Sequence, residues 1–509
     1  MQFTLPQLDF FAIAPVLAMT LTGCVVMLVD LFTPRRAGKG HLAVVSLVGL
    51  AITAFLAAWS WDYNNLAAFG GMVAADTFTQ FFNLLFVFIT SVTILLSQGQ
   101  LEREDFHAGE YYSLLLFSAA GLMLMASATD LIMVFLGVEL LSISLYILAG
   151  FSRLRLESEE ASIKYLLLGS FATGFLLFGI SLVYGAAGST NLGCVATALG
   201  GRSDFAAEAC VRAAPTSLVA GFSGVAGHAP VILLAGMGLL IVGLGFKAGV
   251  APFHMWTPDV YEGAPTAVTA YMSVAAKAAA FAAVLRVFMI AFPSLAGDWS
   301  GMIGIIAALT MIVGNTVAIF QTNIKRMLAY SSIAHAGYIL VAIVAANQLG
   351  AQSVLFYTLA YTLMNLGAFA IVILLGRRGE ENELLSDYAG LGYRQPVLGL
   401  LMALFMLSLA GIPPTAGFVG KFYIFSAAIQ AGQNVLAVIG VLASVVSVYF
   451  YLRVIYLMYM VEPAREYALP PRAPWAFAAA AFTGVAVLAL GLYPLPILDL
   501  AGQSIPFIG

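Results

Sequence analysis

About fourteen apolar runs, each close to the length that crosses a bilayer, follow one another along this chain and restrict it to a bundle of membrane helices. A hydrocarbon core about 30 Å thick takes ~20 helical residues. The runs cover residues 10 to 32, 41 to 61, 76 to 97, 111 to 128, 130 to 150, 162 to 186, 230 to 255, 264 to 292, 300 to 320, 325 to 346, 352 to 376, 396 to 430, 434 to 460 and 474 to 497. Only Thr129-Asp130 punctuates the fourth and fifth. With 62% hydrophobic and 9% charged residues over 509 positions, a water-soluble domain is excluded. The fold class expected is an all-α polytopic membrane protein.

The opening residues, MQFTLPQLDF, lack the positive stretch of a cleavable signal, so the run ending at Phe32 reads as a retained first helix. Basic residues then set the orientation. Loops after odd-numbered runs hold Arg35, Arg36, Lys39, Arg103, Arg153, Arg155, Lys325, Arg326, Arg377, Arg378, Arg394, Arg465 and Arg472, whereas those after even-numbered runs hold Arg202 and Arg212. By the positive-inside rule the odd loops face the cytoplasm or its equivalent, and an even helix count puts both termini on the opposite, outer face. A net charge of −4 spread over short loops offers no basic face to a nucleic acid.

Two runs are interrupted. The seventh carries Gly243, Gly245, Gly249 and Pro252, and the twelfth, too long for one straight span, carries Gly411-Ile412-Pro413-Pro414. Broken helices at membrane depth are tolerated only where they are buried in protein or line a hydrated cavity. Their five-run separation suggests that runs 4 to 8 recur as runs 9 to 13. Pro265-Thr266-Ala267 against Pro414-Thr415-Ala416, and Tyr165 to Phe178 against Tyr357 to Phe369, are further traces. An odd number of helices per copy inverts the copies across the membrane, an arrangement in which broken helices mark a transport site near the midplane. The chain divides accordingly into residues 1–110, 111–292 (first inverted repeat), 293–460 (second inverted repeat) and 461–509.

Ionisable groups lie inside these spans. Glu139, Lys247, Lys277, His335 and Lys421 all fall near mid-depth, counting ~1.5 Å of rise per residue. At about 3 kcal/mol for each group, five would cost on the order of 15 kcal/mol, as much as the whole stability of a domain. Water and mutual pairing must offset most of that. Desolvation works against a lysine's charge and a nearby carboxylate works for it, so a lysine beside Glu139 can hold or release a proton according to their separation. The bland alternatives are a static Glu139–Lys247 pair, a snorkelling Lys277, a packed His335 and a capping Lys421. His254, nearer its helix end, suits a cap or a relay. Serines with Tyr330, Tyr361 and Asn365 are candidates to orient water, or to bond helix to helix.

Of three cysteines, Cys24 lies in the first run, while Cys194 and Cys210 share the outer connection from Ala187 to Ala229, where a disulfide and two free thiols are both open readings. No cysteine cluster and no GxGxxG after a strand offers a place for iron-sulfur, metal, flavin or dinucleotide, so no cofactor is expected in this chain.

The segments GVELLSISLYIL, FKAGVAPFHMWTPDVYEGAPTAVTAYMSVAAK, NIKRMLAYSSIAHAGYIL and SLAGIPPTAGFVGKFYIF, in that order and spacing, resemble the antiporter-like membrane subunits of respiratory complex I over nearly the whole chain, most closely their N-type branch. Lys421, where M-type chains carry a glutamate, and the end at Gly509, where L-type chains continue into a lateral helix, separate it from the other branches. The resemblance implies a fourteen-helix subunit with two inverted five-helix repeats, discontinuous helices 7 and 12, and proton-translocating roles at Glu139, Lys247, Lys277 and Lys421, with His335 in the histidine region of helix ten. It implies partners among the other membrane subunits, including neighbouring antiporter-like ones, and lipids. FMN, iron-sulfur clusters and quinone would belong to partner subunits. Multisubunit cation/proton antiporters and membrane-bound hydrogenases share these motifs and are the rival readings; a standalone sugar or drug transporter would need more substrate-shaped polar groups.

Overall fold

A computed structural model describes residues 8–34, 39–104, 106–200, 231–376, 382–462 and 473–505. Its spans are α1 (Ala14–Phe32), α2 (Gly40–Trp59), α3 (Thr77–Glu104), α4 (Ala108–Ser127), α5 (Leu131–Ala149) and α6 (Leu156–Ala187). There follow α7a (Val231–Ala248), α7b (Trp256–Gly263), α8 (Thr266–Arg286), α9 (Ala296–Ala318), α10 (Ile324–Val344) and α11 (Gln348–Leu375). The series closes with α12a (Pro396–Ala410), α12b (Ala416–Gln430), α13 (Asn434–Met460) and α14 (Pro474–Leu492). Among the described residues thirteen helices are long and apolar enough to cross a membrane, and α12a, the first half of the broken α12, is a shorter apolar helix.

The expected division between the fourth and fifth runs is real: Asp130 caps α5 by accepting from the Ile132 amide at 2.8 Å. Some ends shift. α3 runs on to Glu104, and α6 starts at Leu156, ahead of its apolar run, because Glu157 and Glu159 in its first turn suit a helix N-terminus.

Burial sorts the helices. Every residue of α8 is buried, and α10 and α11 are nearly so, whereas α1, α2, α6 and α14 turn leucines and phenylalanines outward. Alanine makes this close packing of α8 feasible, since small residues let helix backbones approach without a hydrophobic driving force between them. Glycine does the same between α4 and α5, where a Cβ on Gly121 would stand 2.6 Å from the Leu141 amide nitrogen.

Both predicted interruptions are present and built alike. Gly249 (φ 70°) ends α7a and Gly411 (φ 87°) ends α12a, each in a left-handed conformation that favours glycine. Each is followed by a cis X-Pro bond, Ala251-Pro252 and Pro413-Pro414.

Three features fall outside the sequence reading. Asn65–Ala67 and Val73–Ala75 form an antiparallel hairpin, α8 ends in a π-turn over Val287–Ala291, and Leu495–Gln503 is a short amphipathic helix after α14. In the long connection after α6, Leu192–Ala198 is helical, with Asn191 accepting from the Cys194 amide at 3.0 Å. Cys194 is disulfide-bonded; Cys210, the partner considered for it, lies outside the described residues.

Candidate functional site

Lys247 closes the last turn of α7a, 1% exposed, inside an aromatic cage. Its Nζ stands 4.9 Å from the ring centre of Tyr165, 5.3 Å from that of Tyr146 and 5.9 Å from that of Phe246. It donates to the Tyr165 hydroxyl at a long 3.5 Å. Trp256, on α7b, stacks on Tyr165 at 4.4 Å and donates its indole N–H to the Phe246 carbonyl at 3.0 Å, bridging the break in helix 7. Gly169 leaves the space that the Tyr146 hydroxyl fills.

Glu139 lies within electrostatic reach of Lys247 but not within ion-pair distance, and its Oε1 is buried without a hydrogen-bond partner. It sits half-buried on α5, beside Leu136, Leu140 and Ile143 on the outward face. A static Glu139–Lys247 salt bridge is therefore absent from this conformation.

Lys277, on α8, donates to both the carbonyl and the hydroxyl of Ser332 on α10. A Cβ on Gly249 would stand 3.9 Å from its Nζ, so the amine rests against the break of helix 7. Thr257 Oγ1 lies at the same Gly249 break, His254 is within electrostatic reach of the amine, and Tyr261 and Tyr361 lie by its acceptor Ser332; His254 Nδ1, Thr257 Oγ1 and, on α11, Thr362 Oγ1 and Asn365 Oδ1 are buried without a hydrogen-bond partner. Asn365 donates to Ser273 of α8 at 2.5 Å. Of the polar groups singled out in the sequence, Tyr361 lies by Ser332 and Asn365 bonds Ser273, while Tyr330 is half-buried.

His335, on α10, is 1% exposed and held at both ring nitrogens: Nδ1 meets the Tyr357 hydroxyl at 2.6 Å and Nε2 that of Tyr451 at 3.0 Å. Tyr451 also bonds Ser331. Lys421, on α12b, reaches back across the break and donates to the carbonyls of Leu409 and Ala410, each at 3.0 Å, and to Ser444 Oγ at 2.9 Å. These carbonyls belong to the last turn of α12a, where helix-end acceptors attract a cation. The capping contact considered for Lys421 is present.

The buried cations thus fall into two classes. Arg286 pairs with Asp76 at 2.6 Å, and Lys325 with Glu383 at 2.8 Å. Lys247, Lys277 and Lys421, among the described residues, meet no carboxylate within ion-pair distance, only hydroxyls, carbonyls and ring faces. Such an amine can lose its proton without stranding a buried anion. Sequence reading missed the cage, because Tyr146, Tyr165 and Trp256 come from three helices. It missed the Arg286–Asp76 pair as well, although a lone arginine inside the eighth run was a signal. No group of three or more metal-ligating side chains occurs among the described residues.

A family described as NADH:quinone oxidoreductase/Mrp antiporter, TM matches residues 128–447. The chain is similar to the NADH-quinone oxidoreductase subunit N of Trichlorobacter lovleyi, 47% identical over 97% of both chains. It is 45% identical to NADH-quinone oxidoreductase subunit N 1 of Herpetosiphon aurantiacus, over 98% of this chain and 97% of that one. A chain in the structure of respiratory complex I from Thermus thermophilus with bound aureothin superposes with a TM-score of 0.77 at 36% identity, covering 96% of this chain and 99% of that one.

Proposed function

Because the chain belongs to the NADH:quinone oxidoreductase/Mrp antiporter membrane family, in its subunit N branch, we propose that it carries protons along its row of buried ionisable side chains. It is an antiporter-like, proton-translocating membrane subunit of NADH-quinone oxidoreductase, and its partners are other membrane subunits. Redox chemistry belongs to other subunits of the complex; this chain turns a conformational or electrostatic change received from its neighbours into proton movement.

The observation that carries this reading is the contrast between paired and unpaired buried cations. Lys247 and Glu139 form the input switch: the aromatic cage holds the amine away from the carboxylate, and closing that gap would raise the amine's hold on its proton. Trp256 ties the cage to the break in helix 7, so a shift of α7b against α7a changes the separation. Lys277 and His335 form the relay. The partnerless hydroxyls and amides around Lys277 suit water, which satisfies buried polar groups with two to four hydrogen bonds. Lys421 gates exit to the outer face, its proton held by the carbonyls of α12a.

The two broken helices would then belong to inverted repeats spanning 111–292 and 293–460, with both termini on the outer face of the bacterial inner membrane. Replacing Lys247 or Glu139 by alanine should cut proton pumping while the subunit stays inserted in the assembled complex; unchanged pumping in both variants would remove the switch.

A further inference from the structure

We propose a second proton inlet, separate from the helix 7 break and formed by α3, α4 and α8, with Glu104 at its mouth and Tyr271 at its inner end. It rests on the reading of this chain as a proton-translocating subunit and names an access route that the row of central residues does not provide.

The route begins where α3 ends. Glu104, half-buried at the C-terminus of α3, lies on the face assigned to the cytoplasm by the basic loops. Gln100 donates to Glu104 Oε1 at 2.7 Å and accepts the Ala267 amide of α8 at 3.1 Å, which joins the mouth to the first turn of the helix carrying Lys277. One turn deeper on α3, Ser97 bonds the Tyr111 hydroxyl of α4 at 2.8 Å. Deeper on α4, Ser118 bonds the Tyr271 hydroxyl of α8 at 2.9 Å. The helices α3, α4 and α8 pack on one another, and Tyr111 lies within electrostatic reach of both Glu104 and Tyr271, so both hydroxyl pairs belong to one three-helix seam. All of these side chains beyond Glu104 are buried.

Packing alone does not call for this chemistry. A serine in a membrane helix can satisfy its hydroxyl on its own helix, as Ser97 and Ser118 also do. Here the same hydroxyls additionally meet phenols on neighbouring helices, and both phenols are fully enclosed. A carboxyl followed by hydroxyls, with water bridging from one pair to the next, conducts without net chemistry: each oxygen takes a proton from the group behind it and passes its own to the next, so one proton bound at Glu104 is balanced by one delivered from the Tyr271 hydroxyl, through water, to the Lys277 amine. Tyr271 stands six residues before Lys277 on α8, about 9 Å along the axis.

The test uses the intact membrane complex in inverted vesicles, measuring initial proton uptake per NADH oxidised across a pH series for Glu104→Gln, Glu104→Asp and Tyr271→Phe, beside Lys277→Met. The inlet predicts a severalfold loss of proton uptake per NADH in Glu104→Gln and Tyr271→Phe, a displaced pH profile in Glu104→Gln, and recovery in Glu104→Asp. Parent-like ratios and pH profiles in both, with Lys277→Met inactive, overturn the inlet and leave the central reading standing. Should Lys277→Met itself pump normally, it is the central reading that fails. Tyr271→Phe keeps the ring in place, and it decides the matter if Glu104→Gln does not assemble.

Discussion

The Nζ of Lys421 lies 3.0 Å from the carbonyl oxygen of Leu409, so the lysine of one half of helix 12 caps the other half. Replacing it with methionine leaves two buried carbonyls without their charged donor, and an orphaned buried acceptor costs about 1–3 kcal/mol. Lys421→Met is expected to lower the unfolding temperature of the purified complex modestly and to depress pumping strongly. Lys421→Arg, which keeps a donor but holds its charge permanently, should restore the thermal midpoint without restoring pumping, as thermal shift and vesicle acidification will report.

Ser332 offers Lys277 two acceptors, a backbone carbonyl and a hydroxyl. Ser332→Ala removes only the hydroxyl, for a stability change near 1 kcal/mol. Assembly should be unaffected and pumping should fall partway toward the level of a Lys277 variant, measured as acidification per NADH oxidised.

His335 is gripped by Tyr357 and Tyr451. Tyr357→Phe and Tyr451→Phe should each weaken pumping, and because they act on one ring, the double variant should depart from additivity, as residues sharing a network do. Strict additivity in the double-mutant cycle would show that the two hydroxyls do not act through His335.

Arg286 and Asp76 belong to the other class of buried charge. Breaking that pair with Arg286→Met or Asp76→Asn should cost roughly 3–5 kcal/mol, the usual penalty for stranding one buried ion. The expected outcome is poor accumulation of the subunit, read by immunoblot of membranes, with normal pumping per assembled complex.

A turn of glycine is also diagnostic. A Cβ on Gly263 would stand 2.2 Å from the backbone carbonyl oxygen of Glu157, where α6 meets α7b. Gly263→Ala must displace one helix from the other, and it should lower thermal stability by about 1–3 kcal/mol together with pumping.

Much of this architecture was legible because a membrane span is written as a continuous apolar run. Gly249 with Pro252, and Gly411 with Pro413-Pro414, announced the breaks, since such residues disrupt a helix wherever it lies. The five central residues stood out for a related reason: charge is conspicuous against an apolar background. What surrounds them was not legible. The cage joins Tyr146 on α5, Tyr165 on α6 and Trp256 on α7b, and aromatic residues in membrane helices carry no mark of which neighbour they will face. The mixed role of Lys421 was closer to hand, because the acceptors it caps lie only one short break upstream in the chain. The hairpin Asn65–Ala75 escaped because three-residue strands leave too little alternation to read.

The central claim is that amines held only by neutral groups exchange protons during turnover. The most direct measurement is the number of protons moved per NADH oxidised by the complex carrying Lys277→Met, reconstituted in sealed vesicles and compared with the parent. A sharply reduced ratio, with the subunit fully assembled, is the result predicted. An undiminished ratio would contradict the account, because the proton would then have crossed without the residue at the middle of the row.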